Sequence, residues 1–124
     1  MNHGKEAALR LIGKNVFSEL TYFECDDGWF DILANLTKEI EAEIAKEPNL
    51  ASLKVVQVKE KFGGLRYYVS VENSAISAAI ERAEKESANT CETCGAPGQN
   101  RSIHRWMRTE CDEHYAKRVK ACAK

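Results

Sequence analysis

Proline is nearly absent from this chain, two residues in 124, and no apolar run approaches the ~18 residues of a membrane-spanning helix. The first scarcity argues against a long disordered region, and the second against a membrane span. A secretory leader is not expected either. The opening "MNHGKEAALRLIGKN" carries basic residues but no continuous apolar stretch and no small-residue cleavage site. Charge of one sign is also lacking, since the formal net charge is only −1. Composition alone therefore announces neither a nucleic-acid partner nor a membrane surface. The expected location is a reducing cytoplasm, where cysteines serve metal binding or chemistry rather than disulfides. Five cysteines are present, an odd number that suits a metal cage with spares.

What charge there is lies unevenly. Residues 1–90 hold 11 Lys/Arg against 15 Asp/Glu, and residues 91–124 hold 7 against 4. The periodicity divides at the same place. Lys5 to Gly13 allows two helical turns, with Ala8, Leu11 and Ile12 apolar. "NVFSELTYFECDDGW" reads as extended or irregular. Trp29, Leu33, Leu36, Ile40 and Ile44 then recur at three- and four-residue steps, an amphipathic helix over 29–47 that Asp26 or Asp27 is placed to cap. In "LKVVQVKEKFGGLRYYVSV" the period falls to two, and Gly63-Gly64 reads as a hairpin connection. Asn73 or Ser74 can cap a further helix over 75–87, with Ile76, Ala79, Ile80 and Ala83 on one face. A two-stranded ribbon is marginal alone, so helices must cover one of its faces.

The expected fold is α+β: a helix–β-hairpin–helix core over 1–90, and a zinc-binding module over 91–124 packed on it. "CETCGAPGQNRSIHRWMRTECDEH" carries the module's chemistry. Cys91 and Cys94 form one pair and Cys111 and His114 a second, with 16 residues between the pairs, enough for a short hairpin. Thiolate and imidazole are the ligands that Zn²⁺ takes in a tetrahedral structural site. A tight knuckle, a hairpin and a helix carrying the second pair in its first turn together resemble a treble-clef zinc finger. A thioredoxin-like redox motif would need a βαβ setting and would leave the second pair unexplained. One structural Zn²⁺ is therefore expected, with Arg105, Arg108 and Lys117 near enough to offset its charge. His104 reads as a hairpin residue, Cys25 as a small buried one and Cys122 as a tail thiol.

Other motifs weigh less. Asp26, Asp27 and Asp31 stand together beside Trp29, but a helix cap explains them more simply than paired-carboxylate catalysis does. "KEKFGGLR" lacks the Gly-Lys-Ser/Thr arrangement of a phosphate loop and runs from strand to strand. No nucleophile, base and orienting group come together, so no catalytic residue and no enzyme are expected. Tyr67 and Tyr68 point to opposite faces of the ribbon. Two surfaces suit a partner: Phe62, Arg66 and Tyr68 on the ribbon, and Arg105, Trp106 and Arg108 on the module. The alternative is a nucleic-acid-binding zinc finger that uses Arg101, Arg105, Arg108, Lys117, Arg118 and Lys120.

Four blocks, "DDGWFDIL", "VVQVKEKFGGLRYYV", "CETCGAPG" and "WMRTECDEH", give the chain a resemblance over residues 22–116 to small zinc-finger-containing proteins encoded by bacteriophages and prophages. In that group a glycine-rich turn often precedes the tryptophan, where this chain has "NRSIHRW". The resemblance implies an accessory protein in the host cytoplasm that acts stoichiometrically on a host protein, including as an anti-CRISPR inhibitor of a Cas nuclease.

Overall fold

Asn2 accepts the Lys5 amide on its side-chain oxygen at 2.8 Å and so opens helix α1 (His3–Ile12). In the computed structural model, which describes residues 1–123, α1 is the first of four α-helices and five strands in a mixed α+β arrangement. Its register differs from the expectation. Leu9 is the side chain driven fully into the core, while Leu11 points to solvent. Arg10 explains the orientation, for its guanidinium donates to the carbonyls of Ser18 and Thr21 at 2.7 and 2.8 Å and pins the following loop to the helix.

That loop leads into a short strand, β1 (Tyr22–Glu24), which periodicity did not single out. β1 pairs in parallel with β2 (Val55–Lys61), and β2 pairs antiparallel with β3 (Gly64–Val69), so the expected two-stranded ribbon is a three-stranded sheet in the order β1-β2-β3. A third strand relieves the marginal stability of a lone hairpin. Strict alternation along β2 also fails at one point. Val55 faces Val69 and Gln57 faces Tyr68, leaving Val56 as an extra, bulged residue turned outward while both Val55 and Val58 are buried.

A 3₁₀ turn (Asp27–Trp29) precedes α2 (Phe30–Lys46), and a second one (Pro48–Leu50) follows it. α3 (Ser74–Ser87) starts at Asn73, whose side chain accepts the Ile76 amide at 2.9 Å as the sequence suggests. The acidic cap expected at 26–27 is not formed, because Asp26 makes no side-chain capping bond. Asp27 instead accepts both the backbone and side-chain N–H groups of Asn2 at 2.8 Å, joining the start of α1 to the turn before α2.

Both long helices lie on one face of the sheet. Trp29, Leu33, Leu36 and Ile40 from the second helical segment meet Ile76, Ala79, Ile80 and Ala83 of α3, with Val58, Leu65 and Tyr67 from the sheet beneath. α3 also closes the free edge of β3. Ser87 Oγ accepts the Leu65 amide at 3.0 Å, and Glu84 accepts that of Tyr67 at 3.4 Å. The buried Tyr67 hydroxyl meets Thr37 Oγ1 at 3.0 Å, which satisfies both inside an apolar setting. After α3 the chain makes the cysteine knuckle, then the hairpin of β4 (Gln99–Ile103) and β5 (Trp106–Glu110), then α4 (Asp112–Cys122). The last residue of the 91–124 module lies outside the described residues. None of the described helices is long and apolar enough to cross a membrane.

Candidate metal centre

Local structure positions the four expected ligands, a knuckle for the first pair and a helix start for the second. Gly95 adopts φ +83°, a conformation that suits glycine, and donates its amide to the Cys91 carbonyl at 2.8 Å. That closes the knuckle and turns Cys91 and Cys94 to the same side. Cys111 follows β5 with extended backbone and acts as the N-cap of α4, its sulfur accepting the His114 amide at 3.4 Å. His114 stands in the first turn of α4 above it. Sequence spacing had anticipated this geometry: knuckle, hairpin, ligand-bearing helix start.

The distances test whether one ion fits. With metal–sulfur bonds of ~2.3 Å and metal–nitrogen bonds of ~2.0 Å, a tetrahedron has edges of about 3.8 Å between sulfurs and about 3.5 Å between sulfur and nitrogen. Cys94 Sγ lies 3.8 Å from Cys111 Sγ, and His114 Nδ1 lies 3.7 Å from Cys91 Sγ and 3.1 Å from Cys111 Sγ. All four ligand atoms fall within 4.8 Å of one another. The sulfurs are much too far apart for a disulfide, which needs ~2.05 Å. The cluster can hold a metal ion, and three thiols with one imidazole are consistent with a structural zinc.

Thiol acidity supports the same use. Burial pushes the Cys91 thiol up, but amides of Cys111, Cys94 and Thr93 directed at its sulfur outweigh that and bring it down to about 7. Cys25 behaves oppositely: burial, then the charge of Glu92, pushes its thiol up to about 12, as suits an inert buried residue. Cys91 and Cys111 are buried, whereas Cys94 is exposed.

Around the centre lies a network of charged side chains in which Arg108 was expected and the buried Arg118 and Glu92 were not. Arg108 pairs with Asp26 at 2.8 Å and with Glu92 and Glu110 at 3.5 and 4.0 Å. Arg118 is almost fully buried. It donates to Glu110 at 2.8 Å, to the Trp106 carbonyl at 2.9 Å and to the Arg101 carbonyl at 3.0 Å, locking α4 across both strands of the hairpin. Arg101 pairs with Asp112 and lies over the Tyr115 ring at 4.5 Å. Burial raises the Glu92 carboxyl above its usual range, against the opposing pull of the Asp26 amide and Arg108. Its Oε1 has no hydrogen-bond donor among the described residues. The sequence did carry one sign of this network: Cys111, His114 and Arg118 follow three- and four-residue steps, so Arg118 shares the ligand face of α4.

The same network joins the module to the rest of the chain. Gly28 donates its amide to the Glu92 carbonyl at 2.7 Å, and any side chain at 28 would collide with the Cys91 and Glu92 carbonyls. The Trp29 indole N–H donates to the Thr90 carbonyl at 2.9 Å. Thr109 Oγ1 donates to the Gly63 carbonyl at 2.6 Å, and Asn100 Nδ2 to that of Phe62 at 3.1 Å. The "DDGW" and "FGG" blocks thus meet the cysteine module in space.

Of the six side chains expected to face a partner, five have surface to offer. Phe62 is 67% exposed, Trp106 52% and Tyr68 41%; Arg105 is exposed and Arg66 partly so. Arg108 is the exception, being held inward by its three carboxylates. Fold and centre together define an α+β protein with a Cys₃His module able to hold a metal. Compared with known family models, curated proteins and solved structures, the chain matches none.

Proposed function

We propose that this is a zinc-stabilised binding protein, not an enzyme, with a treble-clef-like finger, acting stoichiometrically on another protein in the host cytoplasm. The observation that carries the reading is the closure of the centre. Four protein ligands fill a tetrahedral ion, and catalysis at zinc needs an open position. The module's outward feature is instead its hairpin tip, where His104 and Arg105 both take left-handed backbone, φ 49° and 68°, beside the exposed Trp106. The Trp106 ring is backed by the Arg118 guanidinium at 4.8 Å, a rigid aromatic of the kind that anchors protein interfaces.

The resemblance to phage and prophage proteins points to a host defence nuclease of the Cas type as target. A titration tests both statements. A stoichiometric inhibitor removes cleavage in proportion to its concentration, to completion near one protein per nuclease, and Trp106→Ala in metal-loaded protein weakens the effect. Inhibition at far below one equivalent would overturn the binding reading in favour of catalysis; no inhibition would remove the Cas target. The alternative, a finger holding nucleic acid through its basic residues, is less well supported. Arg101, Arg108, Lys117 and Arg118, four of its six cations, are engaged in intramolecular ion pairs.

A further inference from the structure

Three exposed aromatic rings remain outside the finger, and two of them share one face of the β1-β2-β3 sheet. Opposed residues in adjacent strands lie on the same face, so the pairings Tyr22–Gln57–Tyr68 and Glu24–Lys59–Arg66 define two successive rows. Lys61, opposite Gly64, continues the second row's face to the turn that carries Phe62. Both long helices cover the other face, which holds Val58, Leu65 and Tyr67. On the uncovered face Tyr22 is 65% exposed and Tyr68 remains accessible. Three cations, Lys59, Lys61 and Arg66, stand among the rings against one carboxylate, Glu24, which accepts a hydrogen bond from Gln57 at 3.1 Å.

The turn places the third ring at the end of this face. Phe62 takes φ 52°, which a bulky side chain rarely adopts, and yet its ring is left in solvent. The two-residue hairpin between the paired Lys61 and Gly64 requires that conformation, since Phe62 and Gly63 both take positive φ. Three hydrogen bonds hold the turn there: Gly63 N–H to Glu60 at 2.6 Å, Thr109 to the Gly63 carbonyl and Asn100 to the Phe62 carbonyl. These bonds fix the backbone of the turn and so hold Phe62 at the end of the sheet face.

We propose that this sheet face, with Phe62 at its end, binds single-stranded nucleic acid. The occupant follows from the chemistry. Excess positive charge calls for an anion. The rings are spread across a flat sheet, two strand spacings or about 9.6 Å apart for Tyr22 and Tyr68, and not gathered into one apolar knob. A protein hot spot is centred on one desolvated cluster, whereas unpaired bases stack singly on separate rings between cations. A duplex offers no free base faces, so it is excluded from the stacking role. This site lies apart from the hairpin tip and goes beyond the protein-binding reading without depending on it.

The test uses metal-loaded protein, a labelled 20-residue oligothymidine, a duplex of equal length and polyglutamate, read by anisotropy from 50 to 200 mM salt. The expected result is binding of the single strand in preference to both other probes. Lys59→Ala with Lys61→Ala should lower the slope of log affinity against log salt by roughly 1.4. Tyr22→Ala with Tyr68→Ala should weaken binding about fivefold or more for each ring engaged, with the slope unchanged. The tyrosine pair lies outside the strained turn, so its effect is separable from folding of the turn, and circular dichroism with metal content checks each variant. No binding at 50 mM salt overturns the proposal. So does equal binding of duplex or polyglutamate, the latter favouring an acidic protein partner, or a tyrosine variant that binds like the parent.

Discussion

The two parts of the molecule are held together by different physics. The contiguous apolar core runs from Leu9 to Ala83 and takes no side chain from the described residues of the cysteine module. Within the module the buried groups are mostly polar or ligating: Cys91, Glu92, Thr109, Glu110, Cys111 and Arg118. The first part follows the usual rule that helices and sheet bury apolar faces against one another. The second is too small to do so, and an ion-pair network with a centre able to hold a metal stands in for a core. A short segment can therefore join a domain without adding to its hydrophobic centre, provided its polar groups are satisfied.

The largest expected break comes from the metal. Structural zinc contributes about 10–16 kcal/mol in isolated fingers at neutral pH, comparable to the ~5–15 kcal/mol total stability of a small domain. Chelation, or Cys111→Ser, should abolish amide protection over 91–123 while the apolar core of the first part keeps its own. Hydrogen exchange reads this directly, and protection of both parts after full metal removal would remove the distinction. Next comes Arg118→Ala, which leaves the buried Glu110 with only Arg108, at 4.0 Å, and costs up to about 3–5 kcal/mol. Arg118→Met combined with Glu110→Gln should recover a substantial part of that, and a double-mutant cycle gives the coupling.

Ile40→Ala tests the other part. It removes a fully buried side chain and should cost about 2–5 kcal/mol of global stability, seen as a lower melting temperature with metal stoichiometry unchanged at 25 °C. The smallest effect is alkaline. Cys25 keeps its proton to about pH 12 when folded but loses it near pH 9 when unfolded, so the unfolded state binds fewer protons in that window and stability falls as pH rises. At pH 10 the loss from this group is about 1.4 kcal/mol. Cys25→Ala should show a flatter decline between pH 8 and 10 in denaturant melts, and an identical decline would show that Cys25 does not titrate this way.

The same contrast governs what the sequence reveals. The faces of α2 and α3 are legible because apolar periodicity is a local property, and the ligand pairs are legible because zinc chemistry fixes their spacing. β1 is three residues long, too short for alternation to register, and its pairing with β2 joins positions more than thirty residues apart. Leu9 and Leu11 look alike in composition, and long-range contacts such as Arg10's reach to the Ser18 and Thr21 carbonyls accompany the choice of which one turns inward. Arg108 and Arg118 look like surface cations because a basic run does not say where its counter-charges lie. One of those, Glu92, sits inside the Cys91–Cys94 knuckle, and another, Asp26, belongs to the acidic cluster that resembled a helix cap.

The contact of Gly28 and Trp29 with the knuckle also sets an order in time. During synthesis the residues that receive the knuckle are made more than sixty positions before it, so their turn and helix can form while the last cysteines are still to emerge. Docking then completes two bonds that an excised 88–124 peptide lacks, the Gly28 amide to Glu92 and the Trp29 indole to Thr90. Metal capture should accordingly be tighter in the whole chain than in the peptide. Trp29 is wholly buried and Trp106 is not, so in a Trp106→Phe protein the remaining fluorescence becomes a clock for the moment at which the finger closes onto its platform.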